Sequence, residues 1–274
     1  MSITFLGAGN MATAIAGGLI ARGRHARDIV FVDPVDEQRA RLASLYPGAR
    51  TFAAPVADAF AGATIVVLAV KPQQMREACT ALAPHVAPVP VVLSIAAGTR
   101  SRDISRWLGG YARIVRAMPD TPSLVGAGIA GVWSSPSVDG AGRQAAIAIL
   151  EACGEVVPVA REESLDAVTG ISASGVAYVF YFIEALEAAA RAHGFDAKDS
   201  RKLAYATFDG AVKLALASPD DPATLRARVT SKGGTTERGI AALEAAQVRA
   251  AIAAAVDAAT RRATEMGDLL GRDD

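Results

Sequence analysis

Short apolar, β-branched runs punctuate the first half of the chain: Ile3–Leu6, Ile29–Val32, Ile65–Ala69, Val91–Ile95 and Ile114–Val115. Stretches rich in Ala, Leu and Arg, long enough for helices, separate them, and this alternation predicts a parallel sheet with helices on its faces. The runs are nearly all apolar rather than alternating, as expected when both faces of a sheet are covered. Ile65-Val66-Val67-Leu68 is the most uniform of them and belongs near the centre of the sheet. From about residue 162 the strand signals stop, and long alanine-rich segments with few turn breakers predict an all-helical second half. Near its end Val248, Ile252, Val256, Ala259, Ala263, Met266 and Leu270 recur every three or four residues, which places them on one helical stripe. Such a stripe packs either on its own domain or on another subunit, and the spacing suits both.

A chain of 274 residues has room for two domains, each burying its own core. The boundary is expected between 161 and 162, with residues 1–161 forming an α/β unit and 162–274 an all-α unit. Lysine plus arginine equal aspartate plus glutamate at 28 each, so no net field favours nucleic acid or an anionic membrane surface. Cys79 and Cys153 stand far apart without metal-ligand spacing, which argues against disulfides and structural zinc and fits a reducing cytoplasm. The start MSITFL has no basic leader, and the longest apolar run, Ala173 to Ile183, is too short to span a bilayer. A soluble cytoplasmic protein with no bound metal is expected.

Candidate chemistry begins at Gly7-Ala8-Gly9-Asn10-Met11-Ala12, a GxGxxA pattern that follows the first strand and opens an apolar-periodic helix through Ile15 and Leu19. Gly7 permits the tight turn, Gly9 lets the backbone approach a pyrophosphate, and Ala12 allows close helix–strand packing. The helix N-terminus then presents unpaired amides and a partial positive charge to the phosphates. This predicts a Rossmann-type dinucleotide-binding domain. Asp33 ends the second strand, where a carboxylate can accept hydrogen bonds from an adenosine ribose and would repel a 2′-phosphate, favouring NADH; Arg39 or Arg41 could offset that repulsion. Asp33 could also simply cap a helix beginning near Pro34. Ala69-Val70-Lys71-Pro72 leaves the central strand on the edge where ligands bind in open α/β sheets, with Pro72 suited to open a helix. A cofactor contact by this loop as a whole fits better than chemistry by the Lys71 ammonium, since a lysine leaving a strand end is usually only solvated.

Three later segments carry a family resemblance. Ser94-Ile95-Ala96-Ala97-Gly98, Arg116-Ala117-Met118-Pro119-Asp120-Thr121-Pro122 and Thr230-Ser231-Lys232-Gly233-Gly234-Thr235-Thr236 follow the AVKP segment in an order and spacing that resemble those of pyrroline-5-carboxylate reductases, from about residue 3 to residue 265. Four positions depart from the family pattern: Asp120 stands for a common asparagine, Ala173 and Val176 for a common glycine and proline, and Lys232 for a frequent proline. The resemblance implies reduction of a cyclic imine carboxylate by hydride from NADPH or NADH. Cofactor contacts are thus expected from Leu6, Gly7, Ala8, Gly9, Asn10 and Met11, from Asp33, from Ala69 to Pro72, from Ala96, Ala97 and Gly98, and from Met118 and Pro119. The resemblance also implies a homodimer of interlocked helices, or a homodecamer built from it.

The late loop reads the same way from its donors. Ser231, Gly233, Gly234, Thr235 and Thr236 offer closely spaced amides and hydroxyls that can cradle a carboxylate without a full positive charge. By resemblance, Ser231 and the Gly-Gly-Thr amides hold the substrate carboxylate, and the Thr236 hydroxyl lies near the ring nitrogen as hydrogen-bond partner or proton relay. The same loop could instead cap the following helix through Thr235 or Thr236. Alternatives of other classes are a β-hydroxyacid-type or other imine reductase and a non-catalytic dinucleotide sensor. The region 171–186 lacks the lysine that the β-hydroxyacid enzymes would place there. His25, His85 and His193 are isolated, and Ser172 and Ser174 lack a nucleophile-elbow setting.

Overall fold

The structure, a computed structural model, describes residues 2–272. These form two compact units: the first holds the chain up to Ala173 together with the stretch from Asp257 onward, and the second is Ser174–Val256. The first unit contains β1 (Ser2–Leu6), α1 (Asn10–Ala21), β2 (Ile29–Val32), α2 (Asp36–Leu45), β3 (Arg50–Phe52), α3 (Ala57–Phe60), β4 (Ala63–Leu68), α4 (Met75–Leu82), β5 (Val91–Ser94), α5 (Ser101–Trp107), β6 (Ile114–Pro119), β7 (Gly128–Ser134), α6 (Gly140–Glu151), β8 (Gly154–Pro158) and α7 (Ser164–Val168).

Its strands lie in one sheet of order β3-β2-β1-β4-β5-β6-β7-β8, parallel from β3 to β6. The order reverses between β1 and β4, which creates the crevice where ligands bind in open α/β sheets. The five strands expected from the apolar runs are all present, and the Ile65–Leu68 run lies in β4, inside the sheet. Alternation explains the unbroken apolar pattern: Ile65 and Val67 enter the core on one face with Ile3, Phe5, Ile15 and Phe31, while Val66 and Leu68 enter the other with Val92, Met75, Leu82 and Ile104.

Three strands had no clear sequence signal. β3 is only three residues long. β7 runs antiparallel to β6 because the short 3₁₀ segment Thr121–Val125 joins them and leaves no room for a crossover. It is glycine-bearing because it is crowded: a Cβ at Gly131 would lie 2.7 Å from the Val168 side chain, and one at Gly128 would lie 2.1 Å from Ser123 Oγ. β8 pairs parallel with β7 after the α6 crossover. Both cysteines are free and buried in this unit. Burial pushes the Cys79 thiol up to about 12 and the Cys153 thiol up to about 11, so both behave as small core hydrophobes.

The second unit contains α8 (Gly175–Ala192), α9 (Ala197–Leu216), α10 (Pro222–Arg228), α11 (Thr235–Ala245) and the start of α12 (Val248–Leu270). Asp196 and Asp221 cap α9 and α10, accepting from the Asp199 and Thr224 amides at 2.8 and 2.9 Å. The helices α8 and α9 pack on each other, and the Tyr178 hydroxyl donates to the Ala255 carbonyl at 3.3 Å. Many large apolar side chains here remain exposed, among them Phe180, Tyr181, Tyr205, Leu214 and Leu216.

Two sequence expectations are modified. The apolar run 173–183 is part of a continuous helical stretch, Ser164–Ala192, that by length and composition alone could cross a membrane; counting only uninterrupted apolar residues had missed this. The C-terminal stripe divides along its length. Ala263 is buried and Met266 and Leu270 pack beside Gly98 of the same chain, whereas Ile252 is exposed.

Phe31 is fully buried, with its ring between Phe5 at 5.3 Å and Tyr46 at 6.3 Å. Phe31→Ala is expected to lower unfolding stability by about 3–5 kcal/mol, measured by urea denaturation.

Candidate active site

The strand register lines up the cofactor candidates. Leu6 pairs with Val32 and with Leu68, Leu68 with Ser94, and Ser94 with Arg116, so these five residues form one row across the sheet. Gly7, Asp33, Ala69 and Ile95 each lie one step beyond that row, on the carboxyl edge, with Ala96–Gly98 and Met118–Pro119 just past it. One edge thus gathers every cofactor residue that the sequence singled out.

Backbone bonds stitch the edge together. The Gly7 amide donates to the Val32 carbonyl, the Ala69 amide to Leu6 and the Ile95 amide to Leu68, at 2.8, 2.8 and 3.1 Å. Gly7 has φ +99°, and a Cβ there would lie 2.7 Å from the Ala69 carbonyl group, so only glycine fits this turn. Gly9 differs: a Cβ there would meet nothing within 4 Å. It is the N-cap of α1, no side chain caps that helix, and the first-turn amides therefore have no intrahelical partner. Open space before unpartnered amides at a positive helix end is what a pyrophosphate requires, and the residues present fit a dinucleotide. Leu6 and Ala8 are buried, so their contacts to a ligand would be through backbone; Asn10 and Lys71 are exposed, and Met11, Val70 and Pro72 are half-buried.

Asp33 does not cap α2, whose N-cap is Val35. Its carboxylate accepts from the Ala8 amide at 2.8 Å through one oxygen and from the Val35 amide at 2.9 Å through the other. The side chain thereby fixes the glycine loop against the end of β2 and keeps lone pairs for a ribose. Both nearby arginines are committed. Arg39 donates to the Asp33 carbonyl at 2.6 Å and pairs with Asp36, and Arg41 donates to Thr13 Oγ1 at 3.0 Å and the Ala8 carbonyl at 3.3 Å.

Asp120, the departure closest to this edge, is buried, and its Oδ1 accepts from the Ile129 amide at 3.0 Å. Asparagine would make the same bond, so the carboxylate ties the β6–β7 turn without distorting it. Ala173 ends a π-helical turn, Thr169–Ala173, and Val176 lies in the first turn of α8. Among the described residues no group of three or more His, Cys, Asp or Glu side chains comes together as a metal site.

Behind the edge lies a buried ionic network that sequence reasoning missed. Arg116 Nη1 donates to Glu162 Oε1 at 2.9 Å, and Glu162 also accepts from the Ser101 amide and hydroxyl, both at 2.6 Å. Arg100 donates twice to Asp166, at 3.1 and 2.6 Å. Burial alone raises the Glu162 carboxyl, but the two Ser101 bonds and the Arg116 guanidinium outweigh it and hold it below the ordinary carboxylate range. Burial pushes the Arg116 guanidinium down, against the pull of Glu162. An arginine inside an otherwise apolar strand was the one sequence signal of a buried partner; which residue it pairs with was not readable.

In the second unit the loop before α11 holds itself together. Gly233 has φ +74°, a conformation that favours glycine, and a Cβ at Gly234 would lie 2.4 Å from the rotatable Ser231 Oγ and 3.0 Å from the Ser231 carbonyl oxygen. The Gly233 amide donates to Glu237 Oε2 at 2.7 Å and the Gly234 amide to the Ser231 carbonyl at 3.0 Å. Gly234, rather than Thr235 or Thr236, is the N-cap of α11, and no side chain caps it. The exposed hydroxyls of Ser231, Thr235 and Thr236 have no hydrogen-bond partner among the described residues. The loop's own bonds thus take two amides that the sequence had assigned to a ligand and leave three hydroxyls and the α11 N-terminus free.

A switch-point crevice with an open pyrophosphate cradle, followed in the chain by an all-helical unit, defines the class of two-domain, nicotinamide-dependent reductases. Residues 2–98 match the family described as NADP oxidoreductase, coenzyme F420-dependent, and residues 162–266 match that described as pyrroline-5-carboxylate reductase dimerisation. The chain is 40% identical over 270 residues to a pyrroline-5-carboxylate reductase of Pseudomonas aeruginosa, covering 98% of each, and 35% identical to one of Methanosarcina acetivorans, covering 97% of each. A solved pyrroline-5-carboxylate reductase of Coxiella burnetii superposes with TM-score 0.91 at 36% identity, covering 97% of this chain and 98% of that one. The NADP-bound Plasmodium falciparum pyrroline carboxylate reductase superposes with TM-score 0.84 at 26% identity, over 97% and 98%. The chain belongs to the pyrroline-5-carboxylate reductase family.

Because the Glu162 carboxyl is held low in the folded state, the stability it contributes is present above the ordinary carboxylate range and is lost as pH falls through its folded value. Melting temperatures measured from pH 7 down to about 3 should therefore fall more steeply for the parent protein than for Glu162→Gln, which is less stable at neutrality.

Proposed function

We propose that the protein reduces 1-pyrroline-5-carboxylate to L-proline with NADH or NADPH, the final step of proline biosynthesis. The observation that carries this is the pairing, in one chain of this family, of an open dinucleotide cradle at Gly9 with three unengaged hydroxyls at the N-terminus of α11. When bound, the reduced nicotinamide supplies a hydride to the imine carbon. The chain's residues position and polarise. The amides at the start of α1 hold the pyrophosphate, Asp33 accepts from the adenosine ribose, and Ala69–Pro72, Ala96–Gly98 and Met118–Pro119 line the path along the edge. In the α11 loop, Ser231, Thr235 and the positive helix end take the substrate carboxylate, and Thr236 Oγ1 bonds the ring nitrogen. A protonated imine is already electrophilic, so no strong acid is needed, and hydride addition leaves a ring amine held by that hydroxyl.

Asp33 and the committed Arg39 and Arg41 favour NADH. A 2′-phosphate about 4 Å from the carboxylate would meet roughly 4 kcal/mol of repulsion per charge pair before solvation. The exposed apolar face of α8 and α9 is covered by a second copy in a homodimer, which can assemble further into a decamer. With that face covered, the helical stretch Ser164–Ala192 is an interface element of a cytoplasmic enzyme; nucleic acid and membrane have no part in the reaction.

Purified protein given 1-pyrroline-5-carboxylate is expected to oxidise NADH with a higher kcat/KM than NADPH; imine-independent binding without turnover would replace the enzyme by a sensor. Asp33→Asn should move the preference toward NADPH by about tenfold, equivalent to about 1.4 kcal/mol. Thr236→Ala should lower kcat by about 10²-fold while leaving the melting temperature nearly unchanged, since the side chain is exposed. Unchanged kinetics in that variant would remove Thr236 from the reaction.

A further inference from the structure

The segment Ala96–Gly98 leaves the end of β5 and turns sharply at Gly98, whose φ is +75°. What stands behind that turn is the far end of α12, within the same compact unit. A Cβ at Gly98 would lie 3.5 Å from the Gly267 amide nitrogen, 3.5 Å from Leu270 Cδ1 and 3.6 Å from Met266 Cβ. Seen from the helix the fit is tighter: a Cβ at Gly267 would lie 2.8 Å from the Gly98 carbonyl oxygen and 2.9 Å from Arg100 Nε. Helix backbone and loop backbone therefore approach closely at two glycines, flanked by the side chains of Met266, Leu270 and Arg100. The contact is pinned on both sides. The Thr264 hydroxyl donates to Asp166 Oδ2 at 2.8 Å, the same carboxylate that holds Arg100 two residues after Gly98. One turn beyond, Arg106 Nη2 donates to the Gly271 carbonyl at 2.8 Å.

We infer that the last turns of α12 position the cofactor-contacting segment Ala96–Gly98, with Gly267 and Thr264 as positioning residues. This rests on the reading that the segment contacts the dinucleotide. Asp33 places the adenosine ribose at β2, so the β4–β6 side of the switch point takes the nicotinamide half. A methyl group at position 267 would press on the Gly98 carbonyl oxygen and on the Arg100 guanidinium, which its two bonds to Asp166 keep from rotating away. The loop would move, and the nicotinamide half would lose its seat. The glycine loop and Asp33, at the adenosine half, are held by other bonds, from the Ala8 and Val35 amides to the Asp33 carboxylate.

The test is calorimetric titration of the full chain with NADH and, separately, with ADP as a probe of the adenosine half. In the parent protein NADH is expected to bind more tightly than ADP. In Gly267→Ala the NADH Kd should rise by about tenfold while the ADP Kd changes by less than about twofold, and Thr264→Val should show the same selectivity at about threefold. Thr264→Val, nearly isosteric, carries the test if Gly267→Ala does not fold. An unchanged NADH Kd in the folded variants, or equal weakening of NADH and ADP, overturns the positioning role. Equal affinity of the parent for NADH and ADP would instead overturn the cofactor reading itself, and the inference with it.

Discussion

Two guanidinium groups are taken out of water beside the sheet, and much of the first unit is arranged around keeping them paired. Arg100 and Arg116 are both buried, and a buried charge without a partner is far more costly than one held by a hydrogen-bonded carboxylate. Glu162 answers Arg116 and Asp166 answers Arg100, which brings the chain after β8 and the helix α7 back onto the β5 and β6 ends. Thr264 adds the C-terminal helix to the same carboxylate. Arg116 Nε still lacks a hydrogen-bond partner among the described residues, which measures how fully the network has been desolvated. Breaking one partner would leave a charge stranded, so the pairs act as a geometric commitment more than as a source of net stability.

That commitment lies directly behind the edge where the chemistry belongs. In front of it the design is one of close backbone approach: Gly7 against Ala69, Gly98 against Gly267, and Gly9 open toward the ligand. Asp33 is the charged side chain tied directly to the glycine loop, through the Ala8 amide. In the helical unit, the α11 loop presents the hydroxyls of Ser231, Thr235 and Thr236 and a helix end beside the exposed Lys232.

The apolar exposure of α8 and α9 belongs to a different constraint. A helix pair with many large side chains facing outward exposes apolar surface of the kind that marks an interaction site, and the dimerisation family matched by residues 162–266 accounts for that composition. The departures at Ala173 and Val176 fall at the entrance to α8, where the π turn ends. Neither is a residue of the α11 loop, whose hydroxyls are all retained.

By itself the sequence determined what local pattern can determine. Unbroken apolar runs meant strands covered on both faces, GxGxxA after the first of them meant a tight glycine turn opening a helix, and the alanine-rich second half meant helices. The cofactor edge was legible because strand ends carry its residues, and parallel register must bring strand ends together. Other features depended on partners distant in the chain. β7 was hidden because its glycines answer to crowding from Ser123 and Val168. The Gly233 and Gly234 amides looked free because their acceptors, Glu237 and Ser231, are chosen by the loop's conformation. The pairing of Arg100 with Asp166, and the meeting of Gly98 with Gly267, were decided only by the tertiary structure, since charge pairing and close packing are selected by distance in space, which sequence spacing does not encode.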